Sequence, residues 1–245
     1  MKLKKLWLAL AVCGLTLSAT SCDNGDEYYY YDYASANALV TVKHTADRVC
    51  YLQLDDSTTL LPTNLSRSPF GEKEVRALAN LTLAGNGRSG FSRQVYVNWI
   101  DSIRTKDAVH APADLSVYGN DAVEIVKDWV SIAEDGYLTL RFRTRWGNSQ
   151  VKHVLNLISG ANASDPYELT FCHNAQGDTL GQWGDALIAF KLKNLPDTQG
   201  QTVKLTLKWK SYSGMKSAQF SYRTHQSGGN ADLTIGDRTY TTRLQ

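Results

Sequence analysis

The chain has 245 residues, 42% of them hydrophobic and 20% charged, which is long enough for one core or two. Its 26 basic and 24 acidic side chains give a formal charge of +2, but Lys2, Lys4 and Lys5 belong to an N-terminal export signal whose removal leaves 23 basic against 24 acidic. No overall positive field of the kind that non-specific nucleic-acid binding needs then remains, so no nucleic-acid partner is expected.

The apolar run from Leu6 to Leu17 is too short to span a bilayer comfortably and is followed by Ala19-Thr20-Ser21-Cys22. A basic start, a short apolar core and small residues ahead of a cysteine make up a lipoprotein signal, although Ala19 stands where leucine is commonest. Residues 1–21 are therefore read as a signal peptide, with Cys22 diacylated on its thiol and left as the first residue of the mature chain. This reading implies membrane lipid as a partner and an outer-membrane lipoprotein facing the periplasm or the cell surface. Residues 22–36 follow as a tether, in which Asp23-Asn24-Gly25-Asp26-Glu27 stays solvated and Tyr28-Tyr29-Tyr30-Tyr31-Asp32-Tyr33 adds an aromatic cluster.

Beyond the tether the pattern is β almost throughout. Strands are predicted at Ala38–Val42, Val49–Leu54, Thr58–Leu61, Glu74–Leu83 and Gln94–Arg104, the third stopped by Pro62, which has no N–H to give a ladder. Val75, Ala77, Ala79, Leu81 and Leu83 share one face at the two-residue period, as do Val95, Val97 and Trp99. Asn86-Gly87 and Gly90 belong to the turn between these two strands. Five strands with little helix to cover an open sheet predict a small barrel over residues 37–112, which also removes exposed edges.

The segment Lys106–Val117 breaks the alternation most clearly at Ala111-Pro112-Ala113-Asp114, and a second domain is expected over residues 115–245. There Leu138, Leu140 and Phe142 alternate with Thr139, Arg141 and Arg143, and Val203, Leu205, Leu207 and Trp209 alternate with Lys204, Thr206, Lys208 and Lys210. Shorter runs occur at Tyr167–Cys172, Leu187–Leu192 and Ala218–Arg223. Such strands suit antiparallel sheets with one face packed and one wet. The fold class expected is all-β: an OB-like β-barrel, then an antiparallel β-sandwich, in a monomeric body.

Ala19-Thr20-Ser21-Cys22, Gly71-Glu72-Lys73-Glu74-Val75-Arg76, Val95-Tyr96-Val97-Asn98-Trp99-Ile100 and Tyr137-Leu138-Thr139-Leu140-Arg141-Phe142 together give a pattern that resembles the NigD-like lipoproteins of the Bacteroides group. The resemblance implies an N-terminal OB-type domain and a C-terminal sandwich. It carries no catalytic residues onto these positions.

Catalytic chemistry finds little support. His44, His110, His153, His173 and His225 make no His-x-His or His-Glu-x-x-His arrangement, so neither a metal nor another cofactor is expected. Cys172 and His173 are neighbours on a predicted strand and point to opposite faces, which prevents them from acting as a nucleophile and base pair. Two features suit recognition instead. Trp146-Gly147-Asn148 and Trp183-Gly184-Asp185 place large rings beside turn residues, where each ring either closes the end of the sandwich core or stacks on a sugar, with Trp146, Trp183 and Asp185 as candidate ligand contacts. Arg141, Arg143 and Arg145, with Lys204, Lys208 and Lys210, form basic stripes that would meet acidic glycans if their strands are neighbours. The expectation is a non-enzymatic binding or assembly role toward an envelope protein or a glycan. The opposing expectation, a glycan hydrolase, needs Asp178 or Asp185 to face a second carboxylate across a cleft.

Overall fold

The computed structural model describes residues 35–88 and 90–224. The signal, Cys22, the tether ahead of Ser35 and His225 lie outside the described residues.

Strands β1 (Ala38–His44), β2 (Cys50–Gln53), β3 (Thr59–Pro62), β4 (Val75–Asn86) and β5 (Arg93–Ser102) close into a barrel in the order β1-β2-β3-β5-β4. Only the β3–β5 pair is parallel, and it closes the ring with Leu60 opposite Arg93 and Pro62 opposite Val95. Pro62 is thus the last residue of β3 rather than the residue beyond it. Val40, Val42, Leu52, Leu60, Ala77, Ala79, Leu81, Val95 and Val97 fill the interior. Trp99 does not join them, although it continues the alternation of Val95 and Val97. A β-bulge shifts the β4–β5 register between Asn80 and Leu81, so the ring leaves the barrel and donates its Nε1–H to Ser35 Oγ at 3.1 Å. Leu83 likewise fails to reach the core and is 41% exposed, because β4 runs past the barrel rim from Thr82 onward.

The remaining strands are β6 (Thr105–Asp107), β7 (Val109–His110), β8 (Glu124–Ile125), β9 (Ile132–Glu134), β10 (Tyr137–Trp146), β11 (Val154–Ser159), β12 (Glu168–Asn174), β13 (Gln182–Lys191), β14 (Val203–Ser211) and β15 (Gly214–Tyr222). One sheet runs β6-β13-β10-β8, with β9 also paired to β10, and the other runs β15-β14-β12-β11-β7. Their facing sides interleave Leu138, Leu140, Phe142 and Phe190 with Leu157, Phe171, Leu207 and Phe220. Both sheets are mainly antiparallel, but β6–β13, β7–β11 and β12–β14 are parallel pairs. The short β6 and β7 precede the break read at Ala111–Asp114 and already pair within the sandwich sheets.

The expectation of one wet face fails for the first half of β10. Tyr137 and Thr139, which point away from the sandwich core, are buried against the barrel, where Leu39, Leu78, Ile103, Ile132, Leu187 and Ala189 make a third apolar cluster. Simple alternation cannot report this, since a threonine that faces a second domain reads like one that faces water. The β9–β10 turn reinforces the contact. Asp135 and Gly136 both take positive φ, 50° and 74°, as a two-residue Asp-Gly hairpin requires. The Asp135 N–H donates to Asp56 at 2.7 Å, while Lys43 from the barrel donates to the Asp135 carboxylate at 2.7 Å.

Candidate functional site

Beyond the barrel's footprint, the second half of β10 and the first half of β13 present an outer face to solvent. The register sets Arg141 opposite Leu187, Arg143 opposite Asp185 and Arg145 opposite Trp183, so all of these side chains share that face. Arg141 donates to Asp185 at 2.7 Å and to Asp128 at 2.5 Å, and Arg143 donates to Asp185 at 2.5 and 2.9 Å. Those bonds, first from Arg143 and then from Arg141, hold the Asp185 carboxyl below its ordinary pKa against the opposing effect of burial. Arg145 behaves differently. Its guanidinium donates to the Gly181 carbonyl at 3.0 Å and lies 4.5 Å from the centre of the Trp183 ring, a cation–π distance. Tyr212, at the β14–β15 turn, meets the same ring edge-on at 4.8 Å and anchors its hydroxyl at Thr144 and at the Arg145 N–H. Trp183 remains 49% exposed, so this tryptophan does not close the core.

Trp146 does. It is opposite Gln182 and therefore on the other face of the sheet, next to Phe142, and its indole N–H donates to the Gly184 carbonyl at 3.3 Å. The two tryptophan-bearing segments converge on paired strands, but their rings lie on opposite sides of the sheet. The two basic stripes do not converge at all. Lys204, Lys208 and Lys210 project from β14 in the other sheet, where Lys208 pairs with Glu168 at 2.7 Å.

A third group has no local signal in the sequence, because its members meet only across the β11–β12 pair. His153, at the approach to β11, stacks on Trp146 at 4.2 Å with a 24° tilt. Its Nδ1 lies 2.9 Å from His173 Nε2 and its Nε2 lies 3.3 Å from Asp178. His173 Nδ1 sits 3.1 Å from the Ala122 carbonyl. Asp178 also accepts from the backbone N–H groups of Gly147 and Asn148, and these bonds, Gly147's first, pull its carboxyl below the usual range. Burial, the largest influence, lowers the pKa of His173.

Neither carboxylate considered for hydrolysis is placed as a general acid. Asp178 is bonded into two backbone N–H groups and an imidazole, and Asp185 is shared by two guanidiniums; both are stabilised as anions, whereas a glycosidase acid needs its proton retained. Among the described residues no group of three or more His, Cys, Asp or Glu is arranged to hold a metal ion. Cys50 and Cys172 are separate buried thiols, one in the barrel and one in the sandwich.

A closed five-stranded barrel packed on a β-sandwich defines an all-β, two-domain protein with a solvent-facing aromatic and guanidinium surface on its second domain. Residues 39–103 match the NigD-like N-terminal OB domain and residues 107–222 match the NigD-like C-terminal beta sandwich domain. The chain belongs to the NigD-like family. A candidate toxin-related protein from Parabacteroides distasonis is 33% identical, with a TM-score of 0.62, over 76% of this chain and 92% of that one. A NigD-like immunity protein from Bacteroides caccae shares the fold at 18% identity and TM-score 0.55, over 77% of this chain and 97% of that one. A candidate lipoprotein from Bacteroides fragilis does so at 12% identity and TM-score 0.51, over 78% and 98%. No curated protein matches the chain.

Proposed function

We propose that this chain is an outer-membrane lipoprotein, anchored through Cys22, with a non-enzymatic binding role, and that it receives an acidic glycan on the outer face around Trp183. The ligand class rests on one observation: the half-exposed Trp183 ring stands between Arg145 and Tyr212. A tryptophan stacks on the apolar face of a sugar ring. Arg145 donates to a carbonyl rather than a carboxylate, so its charge stays available to a sugar acid. Anchoring is supported by the export signal that ends at Cys22 and by the likeness to a candidate lipoprotein.

For the anchor, Cys22→Ala should abolish metabolic lipid labelling and release the chain from membranes, and continued labelling at another residue would overturn the assignment. For the ligand, titration of the full chain in detergent with polygalacturonate should show saturable binding. Trp183→Ala should weaken it about tenfold, the equivalent of roughly 1.4 kcal/mol of stacking. No binding by the parent chain, or equal binding by the variant, would remove the glycan reading. Retention of an envelope protein that is insensitive to Trp183→Ala would move the role to assembly elsewhere on the surface.

A further inference from the structure

Of the strands at the sheet edges, β6, β7, β8 and β9 are two or three residues long, whereas β15 runs for nine, from Gly214 to Tyr222. Short edges offer little to pair with, but a long one is a template for a further strand. The register identifies which of its backbone groups are open. Thr206 of β14 donates its N–H to the Tyr167 carbonyl, and the Lys210 carbonyl accepts from the Val123 N–H, so the even-numbered residues of β14 turn their backbone groups away from β15. The odd-numbered residues of β14 therefore bond β15, in the pairs Leu205–Phe220, Leu207–Ala218 and Trp209–Lys216. Met215, Ser217, Gln219 and Ser221 keep their N–H and C=O groups on the open edge. No hydrogen bond among the described residues reaches those groups.

The usual guards of such an edge are missing. β15 holds no proline, and its single charge, Lys216, lies on the inner side and gives its ammonium to Glu124 of the facing sheet at 2.9 Å. Met215, Ser217 and Ser221 are exposed.

The two margins of the edge differ. On the inner side, Ala218 and Phe220 belong to the sandwich core. On the outer side, the lysines of β14 lie one strand in, with Lys208 opposite Ser217 and Lys204 opposite Ser221. A strand added to β15 would stand two strand spacings from β14, about 9.6 Å, which an extended lysine and a glutamate span together across a small serine. Lys208 is paired with Glu168 at 2.7 Å, but Lys204 and Lys210 enter no ion pair among the described residues. Charge complementarity thus calls for carboxylates on the outer side of an incoming strand, and the core calls for apolar side chains on its inner side.

We propose that β15 is a docking edge for an extended segment of a partner protein, taken up as an antiparallel strand that alternates acidic side chains outward with apolar side chains toward Ala218 and Phe220. A second copy of this chain is the poorer occupant, because its β15 would bring Lys216 and no carboxylate. The edge belongs to the other sheet from Trp183 and does not rest on the glycan reading.

The test uses the full chain in detergent and a short fluorescent peptide of alternating valine and glutamate, followed by anisotropy. Saturable binding is expected, with hydrogen exchange slowed at the Met215, Ser217, Gln219 and Ser221 amides. No binding overturns the proposal. Slow exchange of those four amides before any peptide is added overturns it as well, since another segment or a second copy would then already hold the edge. N-methylated peptides isolate the backbone. Glutamates that share the outer face with Ser217 and Ser221 must also turn their N–H groups toward β15, so methyls on the glutamate nitrogens should weaken binding about tenfold or more, while methyls on the valine nitrogens should not. Equal effects, or the reverse order, would show that this ladder does not form. A valine–lysine peptide should bind about tenfold more weakly at low salt, and equal affinity overturns the acidic assignment. Gln219→Pro removes a central outward N–H and leaves the bonds to β14 in place, so it should weaken the valine–glutamate peptide about tenfold. Unchanged affinity would put the peptide elsewhere and overturn β15 as its site.

Discussion

Arg76, from the barrel, meets Glu134, from the sandwich, at 2.7 Å, and both side chains are almost fully excluded from water, at 0% and 3% exposure. The guanidinium also donates to Thr41 at 3.1 Å and to Thr139 at 3.3 Å, and it sits 5.8 Å from the Tyr137 ring centre. One cation therefore draws on β1, β9 and β10 together. Removing one partner of a buried pair strands the other charge, at a cost of about 3–5 kcal/mol, whereas apolar replacement of both is often close to neutral. Arg76→Met should lower the urea-unfolding free energy by about that amount, and adding Glu134→Leu should restore most of it. Losses that simply add would show that the two residues do not act as a pair.

Gly184 holds room for Trp146. A Cβ at this position would fall 2.6 Å from the indole Cδ1, and the ring is backed by His153. Gly184→Ala should destabilise the chain by about 1–3 kcal/mol, as overpacking does, and displace the indole. The check is a urea titration read through tryptophan fluorescence. An unchanged midpoint and spectrum would mean that the ring has space to yield.

The phenols of Tyr137 and Tyr222 resist ionisation. Burial raises both, and Tyr222 is pushed up to about 12. Tyr137 is raised further by donating its hydroxyl to Glu74. Because the folded values lie above the ordinary 10.0, the stability these groups contribute is complete below that pH and is lost as pH rises through the folded value. Spectrophotometric titration should show two phenols ionising only beyond the main wave, close to alkaline unfolding. Tyr222→Phe should remove one of them. Ionisation of every tyrosine in a single wave before unfolding would contradict the burial.

Cys50 and Cys172 are both buried, and burial pushes both thiols up, away from the reactive thiolate. In the Cys22→Ala chain stripped of its signal, a disulfide-exchange reagent should label neither thiol while the protein is folded and both in denaturant. Fast labelling of the native chain would show that one of the strands opens readily.

The barrel was legible because its strands keep an apolar inward face at the two-residue period, which Val40, Val42, Leu52 and Leu60 carry even though β1 is buried on its other face as well. The signal failed where geometry departs from the ladder, at Trp99 beyond the bulge and at Leu83 beyond the rim. In the sandwich, Leu138, Leu140 and Phe142 declared the inner face. Tyr137 and Thr139 concealed the barrel contact, since what covers a face is decided by a chain segment far away in sequence. The candidate site was half visible. Trp183, Asp185 and the arginines were named individually, but the cross-strand register that groups them, and separates them from Trp146, is a tertiary fact. His153 was seen only as one of five scattered histidines. Its partner lies twenty positions away across the β11–β12 pair, where Leu155 stands opposite His173.

β1 is the first described strand, and it lies between β2 and β4 with antiparallel partners on both sides. A pull on the chain ahead of Ala38 acts along this strand, so it loads two rows of hydrogen bonds in shear, all at once, instead of peeling them one at a time. Leu39 and Thr41 on the same strand are wedged against the sandwich side and share that load. Traction from the N-terminal end therefore meets two ladders together rather than a single edge.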